Sequence, residues 1–150
     1  MLYYDEQCFY GGFVMNRIEK AKENHKKGYN CSQAVACAFC DEVGLDEKTM
    51  FALTEGLGLG LGDMQGTCGA VSGAAIILSM KYSCANPDSP KSKAETYKII
   101  RSLTSAFREK NGSEICHELK GSNNGGVPLR ACPGCVEDAA AILEEILSEE

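Results

Sequence analysis

Apolar residues recur at three- and four-residue intervals through nearly every segment of this chain, and no strand–helix–strand alternation interrupts them. That spacing is the strongest constraint on the fold, because a repeat of about 3.6 residues gathers its apolar side chains only on a helix. Phe9, Phe13, Val14, Ile18 and Ala21 carry it through a first segment that reads as a helix over 6–27, stopped by Gly28. Asn30 caps a second helix over 31–43, closed by Gly44, and Asp46 caps a third over 47–55. A fourth helix covers about 67–83. A fifth covers 92–110, with Tyr97, Ile100, Leu103, Ala106 and Phe107 inward, and a short sixth covers 113–119. The last runs over 135–148, where Val136, Ala140, Leu143 and Leu147 share one stripe. Gly56-Leu-Gly-Leu-Gly-Leu-Gly62 alternates like a strand, but its four glycines order at high entropic cost, so it reads as a close-packed turn. Asn86-Pro87-Asp88-Ser89-Pro90 and the stretch 121–134 read as loops. With no internal repeat and no linker, the expectation is one all-α domain over 1–150, a multi-helix bundle.

The chain has 150 residues, 44% of them hydrophobic, enough to bury a core without disulfide staples. A net charge of −6 disfavours nucleic acid as a partner. The cluster Lys20, Lys22, Lys26 and Lys27 reads as a solvated helix face. The first residues lack the basic and apolar regions of a signal peptide, and the longest apolar window, 73–80, is far short of the roughly 18 residues of a membrane span. These features lead us to expect a cytoplasmic protein without direct membrane insertion. In that compartment thiols stay reduced, so the nine cysteines are not expected to form a disulfide framework. An odd count also leaves at least one thiol unpaired. Buried small hydrophobes, metal ligands and redox thiols are the readings that remain.

Gly66-Thr-Cys-Gly-Ala-Val-Ser-Gly73 is the densest motif. Cys68 falls in the first turn of a helix, where free backbone amides and the helix dipole favour a thiolate. Gly69 and Gly73, four apart on one face, let a cofactor or another helix approach the backbone; tight packing beside a buried cysteine is the competing reading. Cys132-Pro-Gly-Cys135 is a CxxC that can close a disulfide or grip a metal, and Pro133 and Gly134 suit the start of the last helix. The missing βαβ pattern excludes a thioredoxin fold for it. Cys37 and Cys40 lie about 60° apart inside a helix and face away from Cys31, which suits a core or interface. Cys116 and His117 are neighbours that diverge by about 100°. His25 reads as exposed, and Cys8 and Cys84 as structural. The glycine-rich turn lacks the strand and the Lys-Ser/Thr of a phosphate loop.

Taken in order, Gly28-Tyr-Asn-Cys-Ser-Gln-Ala-Val35, the stretch 56–62, Gly66-Thr-Cys-Gly-Ala-Val-Ser-Gly73, Cys116 with Leu119 and Gly121, and Cys132 followed by Val136 resemble a known family. Its members are labelled redox-active and named for the pattern C_GCAxxG_C_C. The resemblance covers about 21–147, and Cys8 lies outside it. It implies a four-cysteine set of Cys31, Cys68, Cys116 and Cys132. Cys135 departs from the family, which usually has an apolar residue there, so the CxxC stands as an addition to the shared set. Family members often accompany transporter genes. A similar region precedes the haem domain of split-Soret cytochromes, where an iron–sulfur centre is suspected; no CxxCH for covalent haem occurs in this chain.

Three functional expectations follow. The leading one is a thiol oxidoreductase. Cys31, Cys68, Cys116 and Cys132 converge on one site, Cys68 or Cys132 attacks, and Cys135 resolves. Its partner is a redox protein or a small thiol or disulfide. The second is an electron-transfer module in which Cys31, Cys68, Cys116 and Cys132 hold an iron–sulfur cluster or zinc. Gly66, Gly69 and Gly73 then leave room for the cofactor and offer amides to it. The third is a structural partner of a membrane transporter. A homodimer is compatible with each. The first two require the four sulfurs to gather, with Cys37 and Cys40 apart.

Overall fold

A computed structural model describes residues 9–10 and 13–149 of the chain. Among them stand seven helices: α1 Arg17–Lys26, α2 Cys31–Ala38, α3 Glu47–Thr54, α4 Gly69–Tyr82, α5 Lys93–Asn111, α6 Cys116–Leu119 and α7 Cys132–Ser148. The domain is all-α, as the periodicity predicts. A short antiparallel pair, β1 Phe9–Tyr10 and β2 Phe13–Val14, precedes it.

This pair corrects the expected first helix. Phe9, Phe13 and Val14 belong to the hairpin, and α1 starts only at Arg17. Asn16 stops the helix from reaching further back: its extended backbone lets its side chain accept the Glu19 N–H at 2.8 Å. The rest of the expected span, 6–8 and 11–12, lies outside the described residues. Other boundaries move as well: the short helix expected from 113 starts only at Cys116. Helix α2 ends at Ala38, and a tighter 3₁₀ turn over Cys40–Val43 leads to left-handed Gly44. Helix α7 starts three residues early, at Cys132, because Pro133 is tolerated in a first turn whose amides have no intrahelical partner.

Helix α2 is the hub. It packs against α1, α3, α4 and α7, and every residue from Ser32 to Cys40 is buried. Small residues let its neighbours close in. At the α2–α4 crossing, a Cβ on Gly73 would stand 2.5 Å from the Ser32 carbonyl oxygen, so only glycine allows this approach. Phe39, Met50, Ile77, Leu78, Leu103, Phe107, Val136 and Leu143 fill one continuous core. Lys20 departs from the expected solvated face: it is only 7% exposed. Lys22 and Lys26 do lie outside, paired with Glu137 at 3.8 Å and Glu23 at 3.3 Å. No described helix is long and apolar enough to cross a membrane.

Candidate functional site

Cys31 is the first residue of α2, and its position follows from Asn30. The Asn30 side chain accepts the Gln33 N–H at 2.9 Å, while the Gln33 side chain accepts the Asn30 N–H at 3.0 Å, a reciprocal capping box. The other end of the Asn30 amide donates to the Glu55 carbonyl at 2.8 Å. Gly58 lies flush on that amide, since a Cβ there would fall 2.6 Å from it. One side chain thus starts α2 and docks the glycine-rich turn. Within that turn Leu59, Gly60, Leu61 and Gly62 are all left-handed, with φ of 54°, 57°, 64° and 86°. The turn predicted from sequence is therefore present, and two leucines are held in it at positive φ.

Backbone hydrogen bonds lace this turn to α4 and α6. The Gly66 N–H donates to the Gly60 carbonyl, and the Cys116 N–H to the Gly66 carbonyl, both at 2.9 Å. The Cys68 N–H donates to the Glu114 carbonyl at 2.7 Å. Cys116 packs on Gly60, where a Cβ would come within 2.5 Å of its own. Cys31 packs on Gly69, where a Cβ would overlap its sulfur.

Between these elements opens a cavity of about 190 Å³ whose walls carry Cys31, Cys68, Cys116, Cys132 and Cys135. Three of these thiols stand in a row: Cys68 interacts with Cys31 on one side and with Cys135 on the other, and Cys135 donates to the Arg130 carbonyl at 3.6 Å. The interaction with Cys68, reinforced by burial, holds the Cys31 thiol far above its ordinary range. The interaction with Cys135 is the main cause that pushes Cys68 up to about 12, with burial adding to it. Burial also raises Cys116, which stands outside the row of thiols.

Cys132 is half-buried and opens a helix, α7, as Cys31 opens α2, but it also has the Lys120 ammonium 3.4 Å from its sulfur. The negative charge that Cys132 can carry raises Lys120 above its usual value. Cys135 follows one turn later and is buried. Of the two cysteines expected to attack, Cys132 therefore has the setting to meet an external disulfide, and buried Cys68 does not.

Two further groups at the cavity escaped the sequence reading. Arg130 lies across Gly134, whose missing side chain makes room for the guanidinium. Its Nε donates to Asp138 at 3.0 Å, and that carboxylate, 2% exposed, also receives Lys110 at 2.8 Å. His25, expected to be exposed, is half-buried on the cavity wall. The available signals were weak: Lys120 falls one turn after Cys116, and Arg130 two residues before Cys132.

The remaining candidates are placed elsewhere. Gly69 lines the cavity, Gly66 belongs to the backbone frame, and Gly73 serves the α2–α4 crossing. Cys37 and Cys40 lie in the core, apart from the cavity; burial pushes the Cys37 thiol up to about 12. His117 does not line the cavity either, and its Nδ1 lies 2.5 Å from the Ser122 hydroxyl. Cys84 is exposed, and contacts from the Ser92 hydroxyl and nearby backbone amides lower its thiol to about 7. Cys8 lies outside the described residues. Among the described residues, no three His, Cys, Asp or Glu are arranged to hold a metal ion. The thiols interact pairwise, which is the arrangement a disulfide needs.

Fold and site together define a class: a helical bundle with a cavity walled by thiols and a dithiol in the first turn of a helix. The chain belongs to the family described as "Putative redox-active protein (C_GCAxxG_C_C)", whose model matches residues 29–146. No curated protein and no solved structure matches.

Proposed function

We propose that the protein is a thiol–disulfide oxidoreductase that works through the Cys132–Cys135 dithiol. The observation that carries this reading is the asymmetry of the pair. Cys132 is accessible at a helix start with Lys120 at 3.4 Å, and Cys135 is buried one turn behind it. A cation and a helix N-terminus both favour the thiolate, and the thiolate is the attacking species. In this reading Cys132 attacks a disulfide R–S–S–R and forms a mixed disulfide, releasing one thiol. Cys135 then attacks the Cys132 sulfur, closes the intramolecular disulfide and releases the second thiol. The partner is a redox protein or a small disulfide. Leu59, Leu61 and Met64 on one loop and Val127 and Leu129 on another are exposed large apolar residues. Both loops bond to α6, which carries Cys116, so they offer an apolar rim to such a partner.

Oxidised glutathione mixed with the reduced protein tests this. Mass mapping should find glutathione on Cys132 in a Cys135→Ser variant and a Cys132–Cys135 disulfide in the unaltered protein. A Cys132→Ser variant should lose both products. Glutathione spread evenly over all accessible cysteines would refute the reading.

A further inference from the structure

We infer that Cys68 and Cys31 form a second redox-active dithiol, loaded from the first by disulfide relay through Cys135. The inference rests on the proposed exchange at Cys132 and Cys135 and goes beyond it. Its basis is the arrangement of the cavity. Cys31, Cys68 and Cys135 line the same small space, with Cys68 interacting with Cys31 on one side and with Cys135 on the other, so each sulfur of the row stands beside the neighbour it would attack. Gly69 is the structural reason for the last contact, because any side chain there would displace the Cys31 sulfur from its place beside Cys68.

The steps balance without any external reagent. Cys68 attacks the Cys135 sulfur of the Cys132–Cys135 disulfide. The Cys68–Cys135 bond forms, the Cys132–Cys135 bond breaks, and Cys132 leaves as a thiolate beside Lys120. Cys31 then attacks the Cys68 sulfur. The Cys31–Cys68 bond forms, and Cys135 leaves. The protons of Cys31 and Cys68 end on Cys132 and Cys135, and no electron enters or leaves the protein. The direction follows from the inner pair. Cys31 and Cys68 hold their protons tightly, so each is a poor leaving group and the disulfide they share is the harder one to break. The relay therefore returns the outer pair to its reduced form. A second R–S–S–R can oxidise that pair again, so the site takes up four electrons' worth of oxidation as two disulfides. Lys120 has a matching second role, stabilising Cys132 as the leaving group.

Anaerobically reduced protein is titrated with oxidised glutathione, trapped with N-ethylmaleimide at intervals, and mapped by mass. At full oxidation Cys31, Cys68, Cys132 and Cys135 should all have lost the label to two disulfides, whatever mixed disulfide forms at exposed Cys84. The Cys31–Cys68 disulfide should appear after Cys132–Cys135. In the Cys135→Ser variant the appearance of Cys31–Cys68 should slow by roughly ten-fold or more, with glutathione retained on Cys132. A Cys132–Cys135 disulfide that forms while Cys31 and Cys68 stay fully labelled overturns the relay and leaves the proposed function standing. Formation of Cys31–Cys68 at an undiminished rate in Cys135→Ser also overturns it, because the pair is then oxidised directly. Failure to form Cys132–Cys135 at all overturns the proposed function itself.

Discussion

Lys120 and Cys132 lie 3.4 Å apart on separate elements, and neither is explained without the other. The ammonium is held above its ordinary pKa by the sulfur's charge. The ammonium is therefore charged below about 10.5, ready to hold the Cys132 thiolate, and that hold is lost as pH rises through the raised value. Replacing it should slow the thiol at neutral pH. In Lys120→Met, alkylation of Cys132 by iodoacetamide at pH 7 is expected to fall about three- to ten-fold, and Lys120→Arg should restore most of the rate. Mass-resolved alkylation across pH 6–9 checks this, and an unchanged Cys132 profile in Lys120→Met would show that the ammonium has no such effect. Cysteines at helix starts could be read from Asn30-Cys31 and Cys132-Pro133, because caps and first-turn prolines are local signals. Lys120 and Arg130 could not be read this way. A cation one turn from a cysteine faces the site or the solvent according to how its loop is docked.

At the level of elements, the glycines separate into those that hold helices together and those that shape the site. Gly73 belongs to the first kind. An added methyl would meet the Ser32 backbone at 2.5 Å, and neither helix can yield without disturbing the core. Gly73→Ala should lower stability by about 1–3 kcal/mol in urea denaturation, even though alanine is the better helix former by about 1 kcal/mol. Gly69→Ala should show a different signature. Its methyl displaces the Cys31 side chain and also presses on Gly58 and Leu57. Cys31 should then alkylate faster, with the Cys31–Cys68 contact broken. If Gly73→Ala proves neutral, or Gly69→Ala leaves Cys31 as protected as before, this division of roles is wrong. Helix identity was legible for α3, which Asp46 caps, and for α5, whose Leu103 and Phe107 are buried as expected, although Tyr97 of the same stripe is exposed. The first helix was overextended because Phe9, Phe13 and Val14 satisfy the spacing of a helix face and also pair as β1 and β2.

Across the whole molecule, burial of neutral thiols couples stability to pH. Cys37 and Cys68 are both pushed up to about 12 from an ordinary 9.0, so the folded chain keeps protons that the unfolded chain releases. The sign follows: stability from this source is complete below about pH 9 and falls as pH rises toward 12. Two such groups give a slope on the order of 2 kcal/mol per pH unit above pH 9. Anaerobic urea denaturation at pH 8, 9 and 10 should show the midpoint dropping over the last interval, and a flat profile would contradict the buried, protonated state of these thiols. The all-α class, the turn at 56–62 and the chemically distinct cysteines were determined by the sequence alone, because periodicity, glycine content and helix starts act over a few neighbouring residues. Which cysteines meet was decided only by the tertiary structure. Cys31, Cys68, Cys116 and Cys135 come from four segments, and their contacts depend on how closely α2, α4 and α7 can pack. That closeness is set where Gly58, Gly60, Gly69 and Gly73 meet side chains and backbone distant in sequence, contacts that no local pattern encodes.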